Sequence, residues 1–248
     1  MNRIAGSIAF GFFSLLHPRM LWLMVWPMLV ALFVWGAAAF LFWARAAFWL
    51  AAHLKQWIES GVLFVRLDTG DAMLVAAHVI LVILFVPLVY LTALLILSVF
   101  GMAAMVEHVA SRRFPQLERR RGGSFAGSVW NGVMALAGMA ALGLATIPLW
   151  ILPPLWPLIP AAILGWVNQK VLRYDALAEH ATAHETRAIF AASRKSLYGM
   201  GVALALLAYV PVLGFFAPVV FGLAFIHYLL GELKTLREAP IEGQVTGP

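Results

Sequence analysis

The sequence predicts an all-α integral membrane protein with two long transmembrane helices and two proline-turn helical hairpins that penetrate the membrane part-way. Hydrophobic residues make up 63% of the 248 residues and charged residues only 11%, whereas a soluble domain carries about 25% charged residues. The uncharged runs are far longer than the strands of roughly 10 residues that build membrane barrels, which excludes that architecture. Prolines crowd the middle of the last two runs, so each of these must fold back on itself.

Composition also excludes several function classes. The chain has no cysteine, which removes disulfides, thiolate catalysis and cysteine-ligated zinc or iron–sulfur centres. The net charge of +6 does not indicate a nucleic-acid partner, because cytoplasmic loops of membrane proteins collect Lys and Arg for topological reasons. No nucleophile–base set and no P-loop are visible, so we expect neither an enzyme, nor a cofactor, nor direct use of ATP.

The first segment, residues 1–19, is predicted to be an amphipathic helix at the membrane interface. Apolar side chains recur there at helical spacing beside polar ones: Ile4, Ile8, Phe12 and Leu15 beside Asn2, Arg3, Ser7 and Ser14. The first span is placed at 20–51, because Met20–Ala44 is 25 residues without a charge. As a helix this run is about 37 Å long, enough to cross a hydrocarbon core of roughly 30 Å.

The second span is placed at 72–110. Its uncharged run of 35 residues, Ala72–Val106, would be about 52 Å long as a helix and contains Pro87, which is expected to kink it. Such a helix is long enough to cross the membrane and protrude from it.

Two hairpins follow, at 124–169 and 196–231. Pro148 and Pro154 mark the turn of the first, and Pro211 and Gly214 the turn of the second. The second arm of hairpin 1 has about 15 apolar residues, roughly 22 Å, which is too short for an upright crossing. A cytoplasmic linker helix is predicted at 173–195. We expect one membrane domain over residues 1–237 and a loose tail at 238–248.

The distribution of Lys and Arg predicts the topology. Basic residues cluster near both termini, before hairpin 1 and between the hairpins, whereas the loop 52–71 has few. Both termini are therefore expected in the cytoplasm, with each hairpin entering from and returning to that face. Hemi-penetrating hairpins are the expectation, and fully crossing ones the alternative. Non-helical backbone at membrane depth must be buried in protein or face water, which implies a homo-oligomer or an aqueous cavity.

His17, Pro18 and Arg19 form the candidate anion site, where the interfacial helix meets the first span. Free backbone N–H groups, the positive end of the helix dipole and a guanidinium would converge there on a tetrahedral oxyanion. In the alternative interpretation, Arg19 only contacts lipid phosphates.

Other ionisable residues have both a functional and a structural interpretation. Glu107, with Arg112 and Arg113, is the candidate lining of a water-filled path, or else a group of snorkelling side chains. The histidines in the apolar runs, His78 and His227, are proton relays or simply hydrogen-bonded. His180 and His184, four residues apart, favour a solvated helix over a metal site, and no metal is predicted.

Four stretches resemble the CysZ-like sulfate permease family, which also includes the eukaryotic etoposide-induced proteins. They are Gly11–Arg19, Met105–His108 running into Phe114–Glu118, Leu172–Leu177, and Tyr209–Gly214 with Ala217–Val219. The resemblance implies two long spans, two hemi-penetrating hairpins, oligomers in a bacterial inner membrane, and sulfate uptake for cysteine synthesis.

The resemblance also assigns residues. Arg19 matches an arginine of the family's Gly-Leu-Arg-Arg stretch, while His17-Pro18 stands in place of Gly-Leu and Met20 in place of the second arginine. Glu107 matches a family acid near the conduction path. The expected function is a permease for sulfate or a similar oxyanion, and the alternative is a non-transporting membrane scaffold.

Overall fold

The computed structural model describes residues 2–58 and 70–238, and the all-α prediction is confirmed across them. The eight α-helices are α1 Asn2–Leu15, α2 Pro18–Trp57, α3 Gly70–Arg113, α4 Phe125–Ala145, α5 Leu158–Leu177, α6 Ala183–Ala192, α7 Arg194–Leu207 and α8 Pro211–Glu238. Most of the 52–71 loop and the tail after residue 238 lie outside the described residues, so both predictions about them stay predictions.

Within the described residues, four helices are long and apolar enough to cross a membrane: Pro18–Trp57, Asp71–Ser98, Phe125–Ala145 and Leu213–Glu238. The protein is therefore a multi-pass membrane protein. The two long spans exceed their predicted limits of 20–51 and 72–110, because both helices continue past the apolar run at each end. Pro27 and Pro87 lie inside them without ending them.

One compact unit, Trp22–Phe100, consists of most of α2 and α3. Its helices meet through aromatic side chains and small residues. The Trp35 indole donates a hydrogen bond to the Thr92 hydroxyl at 2.9 Å, while Ala31, Ala47, Ala77 and Ala93 are buried. Only 11% of the most apolar window of each helix is buried in protein. The remaining side chains are mostly large and apolar, as lipid contact requires.

The other unit joins α1 and the start of α2 to the end of α3 and α4–α8. Helix α8 is its core: 67% of the most apolar window of α8 is buried, against 6% for α4. Phe225, Leu229 and Leu233 are completely buried. The sequence also predicts a short second arm for hairpin 2, because residues 196–231 are too few for two crossings and a turn. Helix α8 has 28 residues, so that prediction is wrong. The long arm is tolerated because protein, rather than lipid, covers it.

Helix α1 packs on α8 through a face that the sequence did not indicate. Ser7, Gly11 and Leu15 are its buried residues, and a Cβ on Gly11 would lie 2.9 Å from the Val220 carbonyl oxygen. Ser7 was expected on the polar face. It is buried because its hydroxyl is 3.0 Å from the Nδ1 atom of His227.

The tips of the two hairpins differ. Hairpin 1 turns through two short 3-10 helices, Ile147–Ile151 and Pro153–Leu155, so Pro148 and Pro154 lie at the tip. Hairpin 2 turns at residues 208–210, and Pro211 starts α8 instead of occupying the turn, since proline suits the first helical position. A Cβ on Gly214 would lie 2.3 Å from the Ala208 carbonyl oxygen, so glycine permits this close turn.

The predicted linker helix 173–195 is not a single helix. Helix α5 ends at Leu177, and a turn precedes α6. A capping box starts α6, in which Thr182 and Glu185 each bond the other's backbone N–H. Three backbone hydrogen bonds also tie residues 121–123 to residues 178–181, at 2.9–3.0 Å. These bonds fix the turn and interrupt the helix.

The crossing of α5 and α7 gives the first prediction. A Cβ on Gly201 would lie 2.4 Å from the Gly165 carbonyl oxygen, whereas a Cβ on Gly199 would meet no atom within 4 Å. We expect Gly201→Ala to destabilise the protein by about 1–3 kcal/mol through overpacking. Gly199→Ala on the same helix is the control and should be neutral or slightly stabilising, because alanine favours helix. Thermal unfolding in detergent measures both, and equal shifts would contradict the close-crossing interpretation.

Candidate anion site

The candidate site lies where α1 ends and α2 begins, and its contacts centre on His17. The His17 carbonyl oxygen accepts hydrogen bonds from the N–H groups of Met20 and Leu21, at 2.8 and 3.1 Å. The His17 Nδ1 atom lies 3.2 Å from the backbone N of Arg19. Pro18 has no N–H. The first N–H groups of α2 are therefore engaged locally, and the predicted set of free N–H groups is not present at this junction.

His17 also contacts a residue that is 95 positions away in the sequence. Its Nε2 atom lies 2.6 Å from a guanidinium nitrogen of Arg112, at the end of α3. The ring of His108, one helical turn earlier on α3, lies 4.8 Å from the His17 ring between centroids. The fold thus brings His17, His108 and Arg112 together beside Arg19; we call these four residues the His17 cluster.

The His17 cluster contains more hydrogen-bond donors than acceptors. A neutral imidazole offers one acceptor nitrogen, yet the two ring nitrogens of His17 each face an N–H donor. Within residues 2–58 and 70–238, no carboxylate forms an ion pair with Arg19 or Arg112.

The arginines of the cluster affect the pKa of His17. Partial burial, with the charges of Arg112 and Arg19, lowers the pKa of His17. Cations next to an imidazole disfavour its protonated form. An anion bound here would have the opposite effect, because it would offset the two guanidinium charges.

The remaining predicted path residues lie outside this cluster. Glu107 forms an ion pair with Arg119, which follows α3, rather than with Arg112. The Arg113 guanidinium lies over the ring of Phe10, 5.2 Å from its centroid. Of the three residues, only Arg112 therefore joins His17.

Two histidines in the apolar helices form hydrogen bonds within the protein. His78 bonds the Leu74 carbonyl oxygen at 2.7 Å, and His227 bonds Ser7 at 3.0 Å. His180 lies in the turn after α5 and His184 in α6, so they do not share a helix. No group of three metal-ligating side chains occurs in the part of the chain that the structure describes.

A second charged group, missed by the sequence analysis, surrounds Glu185. Arg237 donates to the two carboxylate oxygens of Glu185 at 2.9 and 3.1 Å, and Arg120 to one of them at 3.3 Å. The bonds from Arg237, together with those from Thr182, lower the pKa of the Glu185 carboxyl to about 2. The side chains of Glu185 and Arg237 are only 13% and 16% exposed. No sequence pattern singles out Arg237 among the basic residues as the partner.

A family model described as sulfate transporter CysZ/etoposide-induced protein 2.4 matches residues 7–218. The chain belongs to this family. Comparisons with curated proteins and with solved structures gave no match. The region matched in the CysZ/etoposide-induced family includes the whole His17 cluster and both hairpin tips, and it ends within α8. Family membership supports a sulfate-transporter-like function for this multi-pass protein.

Proposed function

We propose that this member of the CysZ/etoposide-induced family carries sulfate or a related tetrahedral oxyanion into the cytoplasm, with the His17 cluster as the anion site. One observation carries the proposal: the Arg112 guanidinium contacts His17 and the positive charge of Arg19 acts on the same ring, while neither arginine forms an ion pair with a carboxylate among the described residues. A dianion with four acceptor oxygens supplies the missing acceptors. Arg112 thereby takes the place of the second arginine that the sequence lacks beside Arg19.

The proposed setting is a bacterial inner membrane, where the imported oxyanion serves cysteine synthesis. Both termini lie in the cytoplasm, and the protein functions as a homo-oligomer. The hairpin tips support oligomerisation, because backbone outside regular α-helix requires protein or water around it at membrane depth. The apolar side chain of Ile151, at the tip of hairpin 1, is 81% exposed in the single chain, so a second copy can pack against it. Glu107 and Arg119 are proposed to line the path.

Sulfate flux tests the proposal. Purified protein reconstituted into liposomes should take up radiolabelled sulfate with time, in proportion to the protein-to-lipid ratio. Chloride in excess should compete weakly, because it offers one charge and no oxygen acceptors. Empty liposomes are the control. Flux no greater than that of empty liposomes at any protein density would instead support a non-transporting scaffold.

The depth of the hairpins gives a further prediction. Helix α7 has 14 residues, about 21 Å, which is less than a hydrocarbon core of roughly 30 Å. The Tyr209 hydroxyl donates to the Pro157 carbonyl oxygen at 3.0 Å, so the two tips lie at similar depth. We expect both hairpins to be hemi-penetrating.

Cysteine labelling measures this depth, since the chain has no cysteine of its own. Ile151→Cys and Val210→Cys are suitable because both side chains are exposed. Gly214→Cys is unsuitable, because its Cβ would clash with the Ala208 carbonyl oxygen. From outside, a membrane-impermeant maleimide should label these tips far more slowly than a cysteine between residues 59 and 69. Equal labelling rates would show that the hairpins cross fully.

A further inference from the structure

A cavity of about 670 Å³ lies between α1, α8 and Phe114, apart from the His17 cluster. Cavities of roughly 300–1,000 Å³ hold ligands far larger than a five-atom oxyanion. Part of its wall is aromatic, with Phe10, Phe13 and Phe114. Charged side chains line another part and include Arg3, Arg113 and Glu232. Such a lining fits a molecule that has both a charged and an apolar part.

The charged part of the cavity is positive. The Arg3 guanidinium is 3.0 Å from the Glu232 carboxylate, so these two charges offset each other. Arg113 is stacked on Phe10 and forms no ion pair with any carboxylate in the described part of the chain. Ser7 and His227 already bond each other. Arg113 is therefore the group that attracts an anion, and its guanidinium matches the geometry of a phosphate.

The apolar part of the cavity continues onto the outside of the protein. Phe13 lines the cavity and is nevertheless 75% exposed. Gly6, one of the lining residues, leaves open space, because an added Cβ would meet no atom within 4 Å. Helix α1 has the pattern of an interfacial helix, so an acyl chain can reach Phe13 from the surrounding lipid. A water-soluble anion would leave this aromatic wall uncovered.

We propose that this cavity binds an anionic phospholipid, with the phosphate on Arg113 and an acyl chain along Phe13. The lipid would hold α1 against the membrane through contacts that the transported anion does not use. This assigns Arg113 to lipid binding rather than to the conduction path.

Native mass spectrometry of the purified full chain in neutral detergent tests the proposal. Phosphatidylglycerol should bind more tightly than phosphatidylcholine. Arg113→Gln should weaken phosphatidylglycerol binding about tenfold to a hundredfold, as expected for the loss of charge-assisted hydrogen bonds. Arg187→Gln, at an exposed arginine on α6, is the matched control and should bind like wild type.

A second variant tests the cavity itself. Gly6→Leu fills the open space and should prevent phosphatidylglycerol binding, while leucine favours the helical fold of α1. Gly36→Leu on α2, where an added Cβ also meets no atom within 4 Å, is its control and should bind normally. Circular dichroism verifies that all variants keep their helix content.

The outcomes are decisive in both directions. Weaker binding by Arg113→Gln and Gly6→Leu, with normal controls, supports the lipid site. Unchanged binding by both cavity variants overturns it, as does equal affinity for phosphatidylcholine. If inorganic phosphate alone binds with the same dependence on Arg113, and as tightly as phosphatidylglycerol, the cavity takes a soluble anion and the proposal is wrong. No sulfate is present in these measurements, so the result is independent of the transport proposal.

Discussion

Replacing Arg19 with alanine is expected to weaken sulfate binding by about tenfold to a hundredfold. Charge-assisted hydrogen bonds contribute roughly 1.5–3 kcal/mol each, and alanine offers neither charge nor donors. Arg19→Lys should have an intermediate sulfate affinity, because lysine supplies a point charge without the bidentate hydrogen bonding of a guanidinium. Calorimetric titration of sulfate into the purified variants, with chloride as the competing anion, measures these affinities.

Two comparisons make the Arg19 experiment specific. Arg187→Ala, at an exposed arginine on α6, should leave sulfate affinity unchanged. Arg112→Ala should weaken binding in the same range as Arg19→Ala, since the structure brings Arg112 to the same histidine. Equal affinities for wild type, Arg19→Ala and Arg19→Lys would remove Arg19 from the site. They would leave it as a lipid anchor whose loss changes only membrane yield or orientation.

Replacing Glu185 with glutamine is expected to destabilise the protein by about 3 kcal/mol. The change leaves the largely buried Arg237 guanidinium without its carboxylate, and breaking a buried ion pair costs about that much. It also weakens the cap of α6, because the Glu185 carboxylate accepts from the Thr182 N–H at 2.7 Å. Thermal unfolding in detergent gives the difference in the free energy of unfolding.

Glu118→Gln is the matched control for Glu185→Gln. Glu118 pairs with the same Arg120 at 3.3 Å but is 74% exposed. An exposed pair contributes at most about 1 kcal/mol, so this variant should unfold close to wild type. If the two variants lost the same stability, the contribution of the Glu185–Arg237 pair would be no greater than that of a surface contact.

The same pair predicts a pH dependence. Folding lowers the pKa of the Glu185 carboxyl from its ordinary 4.5 to about 2. A lowered carboxyl pKa means that the folded state binds fewer protons, so stability rises with pH. The contribution of Glu185 is complete above its unfolded pKa and is lost as the pH falls from about 4.5 to about 2. In Glu185→Gln, the fall in stability over this window should be smaller than in wild type.

The sequence predicted the membrane elements because the bilayer imposes local constraints. An uncharged run of 25 or more residues must span or enter the hydrocarbon, and a cluster of prolines prevents one continuous helix. The two long spans, the two hairpins and the position of His17 between α1 and α2 follow from these constraints. The limits of the helices were less accurate, as with the linker helix, because the capping by Glu185 and the pairing with residues 121–123 involve the folded chain.

Hydropathy did not distinguish the core from the lipid-facing surface. Helices α2 and α8 are both apolar enough to cross a membrane, yet 11% of one window is buried in protein and 67% of the other. Lipid tails and a protein interior are similarly apolar, so the same side chains satisfy both. The helical pattern also placed Ser7 on the polar face of α1. In the structure, His227 on α8 is the hydrogen-bond partner that allows the Ser7 hydroxyl to be buried.

By itself, the sequence determined that this protein is helical, lies in a membrane, and has an arginine at the start of its first long span. Only the tertiary structure decided which partner each charged side chain contacts. The pairs are Arg112 with His17, Glu107 with Arg119, Glu185 with Arg237, and Arg113 with the ring of Phe10. The membrane sets the length and polarity of each segment, which is local information. The choice of partner depends on which distant segments pack together, and many arginines along the chain have equivalent local surroundings.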